Sequence, residues 1–186
     1  MELIGGVTRH DFLNRAATVS GAVAVGIFAF PQVLEAVEAV SASVLRVTRP
    51  YTAFKVATVA DLVEGEPVDY SYPLVGHLNF VIKLGTPAWD GVGLDQDIVS
   101  FNYLCSHIGC PLIGKYNHDH KMLDPCPCHF SRFYLAKKGV MILGQATQSL
   151  PQVTLEVRDG DIFAVAVSGL VYGYRSNLQN GTPVSS

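Results

Sequence analysis

The chain has 186 residues, of which 49% are apolar and 16% charged, and its net charge is −3. That length bounds it to one domain plus an appendage, with enough apolar material for a full core. A slightly acidic chain without a basic stripe excludes a nucleic-acid binder, and so low a charge content points to a partner surface or an anchor.

Residues 1–45 read as a helical export signal or anchor. Ala16–Phe30 runs for 15 residues without a charge. That is short of the about 20 that a membrane span needs and closer to the about 7–15 of a signal's apolar region. Just before it, Thr8-Arg9-His10-Asp11-Phe12-Leu13-Asn14 resembles the twin-arginine (Tat) export motif, with His10 in place of the second arginine. Such a signal exports proteins already folded. Small residues around Ala39, Ser41 and Ala42 offer a cleavage site; uncut, the segment would stay as a membrane anchor.

Beyond Pro50 the pattern turns to β. Phe54–Val59, His77–Leu84, Asp97–Leu104, Val140–Leu143, Gln152–Val157 and Asp161–Val167 are short alternating or apolar runs with turn residues between them. Ala60–Val63 suits one helical turn. Asp159-Gly160 between two runs predicts a hairpin. The expectation is an all-β antiparallel sandwich over 46–178, with a small subdomain at about 103–135 and a flexible tail over 179–186.

Two boxes interrupt this framework as loops. The first is Cys105-Ser106-His107-Ile108-Gly109-Cys110 and the second Cys126-Pro127-Cys128-His129-Phe130-Ser131; they hold all 4 cysteines of the chain. Each offers one Cys and one His as ligands: Cys105 with His107, and Cys126 with His129. Soft thiolates and imidazoles suit zinc or an iron–sulfur cluster. Zinc fingers pair Cys with Cys and His with His at wider spacing, whereas each box here mixes the two. Two such loops facing each other would grip a binuclear [2Fe–2S] cluster from both sides. Cys110 and Cys128 are left over. They are either a disulfide stapling the loops, which implies an oxidising compartment, or two buried inert thiols.

The other candidates have plainer readings. His118 and His120 suit a solvated hairpin tip, His77 a structural position on an apolar strand, and Lys137-Lys138 a solvated turn. Trp89 fits packing and partner contact equally well.

The two boxes resemble the Rieske iron–sulfur motif of the disulfide-containing subclass. That resemblance implies that Cys105 and Cys126 bind the inner iron and that His107 and His129 bind the outer one, near the surface. Neutral imidazoles in place of two thiolates make an added electron less costly, which places such centres at about −150 to +300 mV. Ser131 matches the serine whose hydroxyl donates to a bridging sulfide. Phe133 stands where high-potential members carry a Tyr that donates to a ligand sulfur, so a lower potential is expected. Phe130 stands where respiratory members carry Gly.

The flanking stretches resemble the arsenite oxidase small subunit over roughly residues 52–178. They are Lys83-Leu84-Gly85-Thr86-Pro87, Gly91–Val99, Gly144-Gln145-Ala146-Thr147 with Leu150-Pro151, and Gly169-Leu170-Val171-Tyr172-Gly173. The related iodate reductase has a similar subunit. The resemblance implies a chain without catalytic residues of its own. It would take electrons from the [3Fe–4S] cluster of a large molybdopterin subunit and pass them to a cytochrome c or copper protein. It would do so in the periplasm or on the outer face of the cytoplasmic membrane. The Rieske subunit of a cytochrome bc-type complex is the main alternative, and a structural zinc module the plainest.

Overall fold

The computed structural model describes residues 51–185; the expected export segment over 1–45 lies outside them. Among the described residues, no helix is long and apolar enough to cross a membrane. These residues form ten strands: β1 (Phe54–Thr58), β2 (Val68–Ser71), β3 (Leu78–Lys83), β4 (Ile98–Asn102), β5 (Tyr116–Asn117), β6 (Met122–Leu123), β7 (Arg132–Tyr134), β8 (Val140–Leu143), β9 (Gln152–Arg158) and β10 (Asp161–Ser168). Six of them form one sheet in the order β1-β10-β9-β4-β3-β2. The other four form a small sheet in the order β5-β6-β7-β8, and every strand pair is antiparallel.

The expected hairpin closes β9 and β10, with Arg158 opposite Asp161. Asp159 and Gly160 both take left-handed backbone, φ 51° and 85°, as a two-residue turn of this hand requires. The helical turn expected at Ala60–Val63 is a single 3-10 turn at Val59–Asp61, capped by the Thr58 hydroxyl accepting from the Asp61 N–H.

Strands β3 and β4 are buried on both faces and separate two cores. Because side chains alternate along a strand, Phe80, Ile82, Val99, Phe101 and Tyr103 point one way. They meet Leu112, Leu123, Phe133 and Leu135 of the small-sheet region. Val81 and Ile98 point the other way, against Val153, Leu155, Ile162 and Ala164 of β9 and β10. This is the sandwich expected from the apolar alternation. Cys105 and Cys126 lie in the first core, so the metal-binding loops grow directly from packed strands.

A polar pair fixes the exit of β4. Asn79 and Asn102 stand opposite each other in register. The Asn102 side-chain amide donates to Asn79 Oδ1 at 2.9 Å and to the Leu78 carbonyl at 3.0 Å. Its own oxygen accepts from the Leu104 N–H at 3.0 Å, which turns the chain into the first box. Both side chains are fully buried, where unpaired amides would be costly.

The tail expected to be flexible is tied down. The Val75 N–H donates to the Thr182 carbonyl and the Val184 N–H to the Pro73 carbonyl. Val184 also packs against the second core. Local composition shows the tail's polarity but not these backbone partners, which lie about a hundred residues away in sequence.

Candidate metal centre

The two boxes fold into two copies of one turn. In the first, the Cys105 N–H donates to the Cys110 carbonyl at 2.9 Å and the Gly109 N–H to the Cys105 carbonyl at 2.8 Å. In the second, the Cys126 N–H donates to the Ser131 carbonyl at 2.9 Å and the Phe130 N–H to the Cys126 carbonyl at 3.0 Å. Each turn therefore holds a buried cysteine at its base and carries a histidine outward. The rings of His107 and His129 lie edge to face, with centroids 4.7 Å apart and planes at 82°.

The predicted ligands meet in pairs: the two thiols adjoin each other, and so do the two imidazoles. Cys105 and Cys126 are buried free thiols, and the Cys126 sulfur lies close enough to act on the Cys105 thiol. Burial, foremost, pushes the Cys105 thiol up. Its hydrogen bonds from the backbone N–H groups of His107 and Ile108 pull it down, and neighbouring Cys126 raises it further. Amides aimed at a sulfur suit a thiolate held against a cation. His107 Nδ1 is buried with no hydrogen-bond partner in the protein. An orphaned ring nitrogen on the same turn as a buried thiol is what a metal bond would satisfy. The donor set, two sulfurs inside and two imidazoles toward the surface, fits a [2Fe–2S] cluster with unlike irons.

Cys110 and Cys128 form a disulfide, with Cα atoms 6.4 Å apart, so the reading as two inert thiols falls away. The sulfurs of Cys110, Cys126 and Cys128 all lie within 4.8 Å of one another. Two of the three are consumed by the bridge, so the trio is not a second metal site. It shows instead that the staple lies against the Cys126 thiol.

A third loop clamps the first two. Ser131 is fully buried, and its hydroxyl oxygen accepts from the N–H groups of Gln145 and Ala146, at 3.1 Å each. With those acceptor sites engaged, the hydroxyl retains its own proton to donate. Gly144 has φ 113°, and a side chain there would run into Ser131. The Ser106 hydroxyl donates to the Gln148 carbonyl at 2.7 Å. Gly144–Gln148 thus touches both boxes, a role that the spacing of the sequence does not announce. Phe133 is fully buried in the core that contains Cys105 and Cys126. It offers no hydroxyl where a Tyr would.

A fourth segment closes over the first box. The ring of Tyr172 packs on Gly109 so closely that any side chain there would collide with it. Asn177 holds this segment in shape: its side-chain oxygen accepts from the Val171 N–H at 2.9 Å, and its amide donates to the Gly169 carbonyl at 2.8 Å.

The remaining candidates stand apart. His118 follows β5 at an exposed turn, beside Glu64 and Lys121, and the exposed His120 is hydrogen-bonded to Asn117. His77 is buried against Tyr174, a packing position. Trp89 is exposed, with the Lys137 ammonium 5.7 Å from its ring centroid. Lys138 pairs with Asp90 at 2.6 Å.

An all-β scaffold that holds paired Cys/His loops, stapled by a disulfide, defines a class: the iron–sulfur electron carriers. The chain belongs to the Rieske [2Fe–2S] family, since residues 52–154 match the model of the Rieske [2Fe–2S] domain. It is 48% identical over 127 residues to the iodate reductase subunit IdrB of Denitromonas iodatirespirans, covering 68% of this chain and 69% of that one. It is 41% identical over 170 residues to the subunit of the same name from Pseudomonas sp. (strain SCT), covering 91% and 84%. The soluble domain of Rieske protein II from Sulfolobus acidocaldarius shares the fold, with a TM-score of 0.59, 24% identity, and coverage of 72% of this chain and 85% of that one. Membership assigns one [2Fe–2S] cluster, which removes the structural zinc reading. The chain is a Rieske electron-transfer subunit. The flanking stretches pointed to arsenite oxidase; these relatives bear the name of iodate reductase instead.

Proposed function

We propose that this chain is the electron-transfer subunit of a molybdenum oxidoreductase of the iodate reductase kind, working in the periplasm. The single observation that carries the electron-transfer role is the pair of matched turns, with buried thiols inside and adjoining histidine rings outside. The bound cluster supplies a one-electron couple. Cys105 and Cys126 would hold it through their sulfurs. His107 and His129 would hold it through ring nitrogens and form the contact where an electron enters or leaves. The Ser131 hydroxyl would donate a hydrogen bond to cluster sulfur. Disulfides persist in oxidising compartments, so Cys110–Cys128 supports export. The 1–45 segment would direct that export or anchor the product.

Similarity to two IdrB subunits supports the iodate reductase branch. A reductase draws electrons inward. In this reading a cytochrome c or copper protein supplies them, and a large molybdopterin/[3Fe–4S] subunit consumes them. The arsenite oxidase reading reverses that direction and changes the substrate, and leaves the work of this chain the same.

Capture of the tagged full-length protein from its native cells tests this. A molybdenum-containing large subunit and iodate-dependent oxidation of a reduced electron donor are the expected results. A cytochrome b partner would replace the proposal with the bc-type alternative, and arsenite-dependent reduction of an acceptor would move it to the arsenite oxidase branch.

A further inference from the structure

The segments that meet at the two boxes are free of formal charge. Residues 103–114, 125–131, 144–148 and 169–173 contain no Asp, Glu, Lys or Arg. Two charged residues bracket the second box at its base: Asp124, just before Pro125-Cys126, and Arg132, just after Ser131. They pair with each other, Arg132 Nη1 lying 3.6 Å from Asp124 Oδ2.

The pair is not an ordinary surface contact. The Asp124 side chain is only 6% exposed, against 42% for Arg132. Asp124 Oδ1 and Arg132 Nε are both buried without a hydrogen-bond partner in the protein. A buried carboxylate with one long ionic contact is expensive to keep. Both residues are also anchored through their backbones. The Asp124 N–H donates to the Lys115 carbonyl at 2.9 Å, and Arg132 opens β7 opposite Leu143 of β8.

We propose that Asp124 and Arg132 are positioning residues that form an electrostatic clasp. They close the loop carrying Cys126 and His129 and keep the field at the redox centre close to neutral. This rests on the reading of the two boxes as the cluster site. Reduction adds a negative charge there, so each partner left alone acts on the potential with its own sign. An unpaired Asp124 opposes reduction and an unpaired Arg132 favours it. Because Arg132 is partly exposed, solvent screens it more, and removing Asp124 has the larger effect.

The test is an EPR-monitored redox titration of the full holoprotein and its variants. Arg132→Gln is expected to lower the equilibrium constant for reduction several-fold, and Asp124→Asn to raise it by more. The double variant and Arg132→Lys should stay near wild type. Shifts of the same sign in both single variants, or no shift in either, would overturn the clasp. Should Arg132→Gln shed the cluster, Asp124→Asn and Arg132→Lys still decide. The first must raise the potential and the second must leave it in place, and any other result overturns the proposal. A wild-type protein without the cluster signal would overturn the parent reading and the clasp together, whereas an intact signal with unmoved potentials overturns the clasp alone.

Discussion

Gly109 and Phe130 occupy the same position in two copies of one turn. Each donates its N–H to the carbonyl of the cysteine four residues before it, and each has left-handed backbone, φ 75° and 58°. Glycine adopts that conformation freely, whereas a phenylalanine there costs about 1–3 kcal/mol. The Phe130 ring does not recover the cost inside the fold, being 66% exposed next to His129.

Phe130→Gly should therefore leave the isolated domain as stable as before, or more stable by up to about 1 kcal/mol. Its thermal midpoint reads this directly. The ring's place at the histidine tip suits contact with a redox partner, so the same change should weaken capture of the large subunit. A clear drop in midpoint with capture unaffected would show that the ring holds the loop instead.

Phe133→Tyr should raise the midpoint potential. Phe133 is fully buried in one core with Cys105 and Cys126, so a hydroxyl added there can donate toward ligand sulfur, and it does more for the reduced state. One such bond, at ~1 kcal/mol of differential stabilisation, corresponds to roughly 40 mV for a one-electron couple. An unchanged or lower potential would refute the lower-potential reading of this position.

Cys110→Ser removes a bridge with a sequence separation of 18. The chain-entropy account assigns such a loop about 3 kcal/mol. The expected outcome is a lower denaturation midpoint and faster loss of the cluster's visible absorbance on warming. Wild-type behaviour in both would mean that the staple is idle.

His77 gives the domain an acid-side weakness. It is 1% exposed, and neither ring nitrogen has a partner. Burial lowers its pKa below the ordinary 6.5, so the fold disfavours the protonated form. The folded pKa lies below the unfolded one. Stability is thus complete above about pH 6.5 and falls as the pH drops below it, by at most about 1.4 kcal/mol per unit. His77→Phe should flatten that slope relative to wild type in urea midpoints measured at pH 7.5 and 5.5. Equal slopes would show that the ring protonates without penalty.

Much of this was legible in the sequence because its signals were local. The Cys/His boxes announce a metal site, Asp159-Gly160 announces its hairpin, and six apolar runs announce six strands to within a few residues. β5, β6 and β7 have only two or three residues each, too few to show a period of two. β2 carries Asp69 and is exposed at its start, so its alternation does not read as apolar. The clamp at Gly144–Gln148, the Tyr172 cover and the Asp124–Arg132 pair depend on contacts between segments. The strained backbone of Phe130 follows from its equivalence to Gly109, which only the folded turns display.

The central claim is that two histidines and two cysteines of this chain hold one [2Fe–2S] cluster. EPR and ENDOR of the reduced protein with 15N-labelled histidine test it most directly. The account predicts two strongly coupled imidazole nitrogens, with His107→Cys and His129→Cys each removing one of them. A colourless protein with stoichiometric zinc, or a cluster signal without histidine nitrogen coupling, would contradict it.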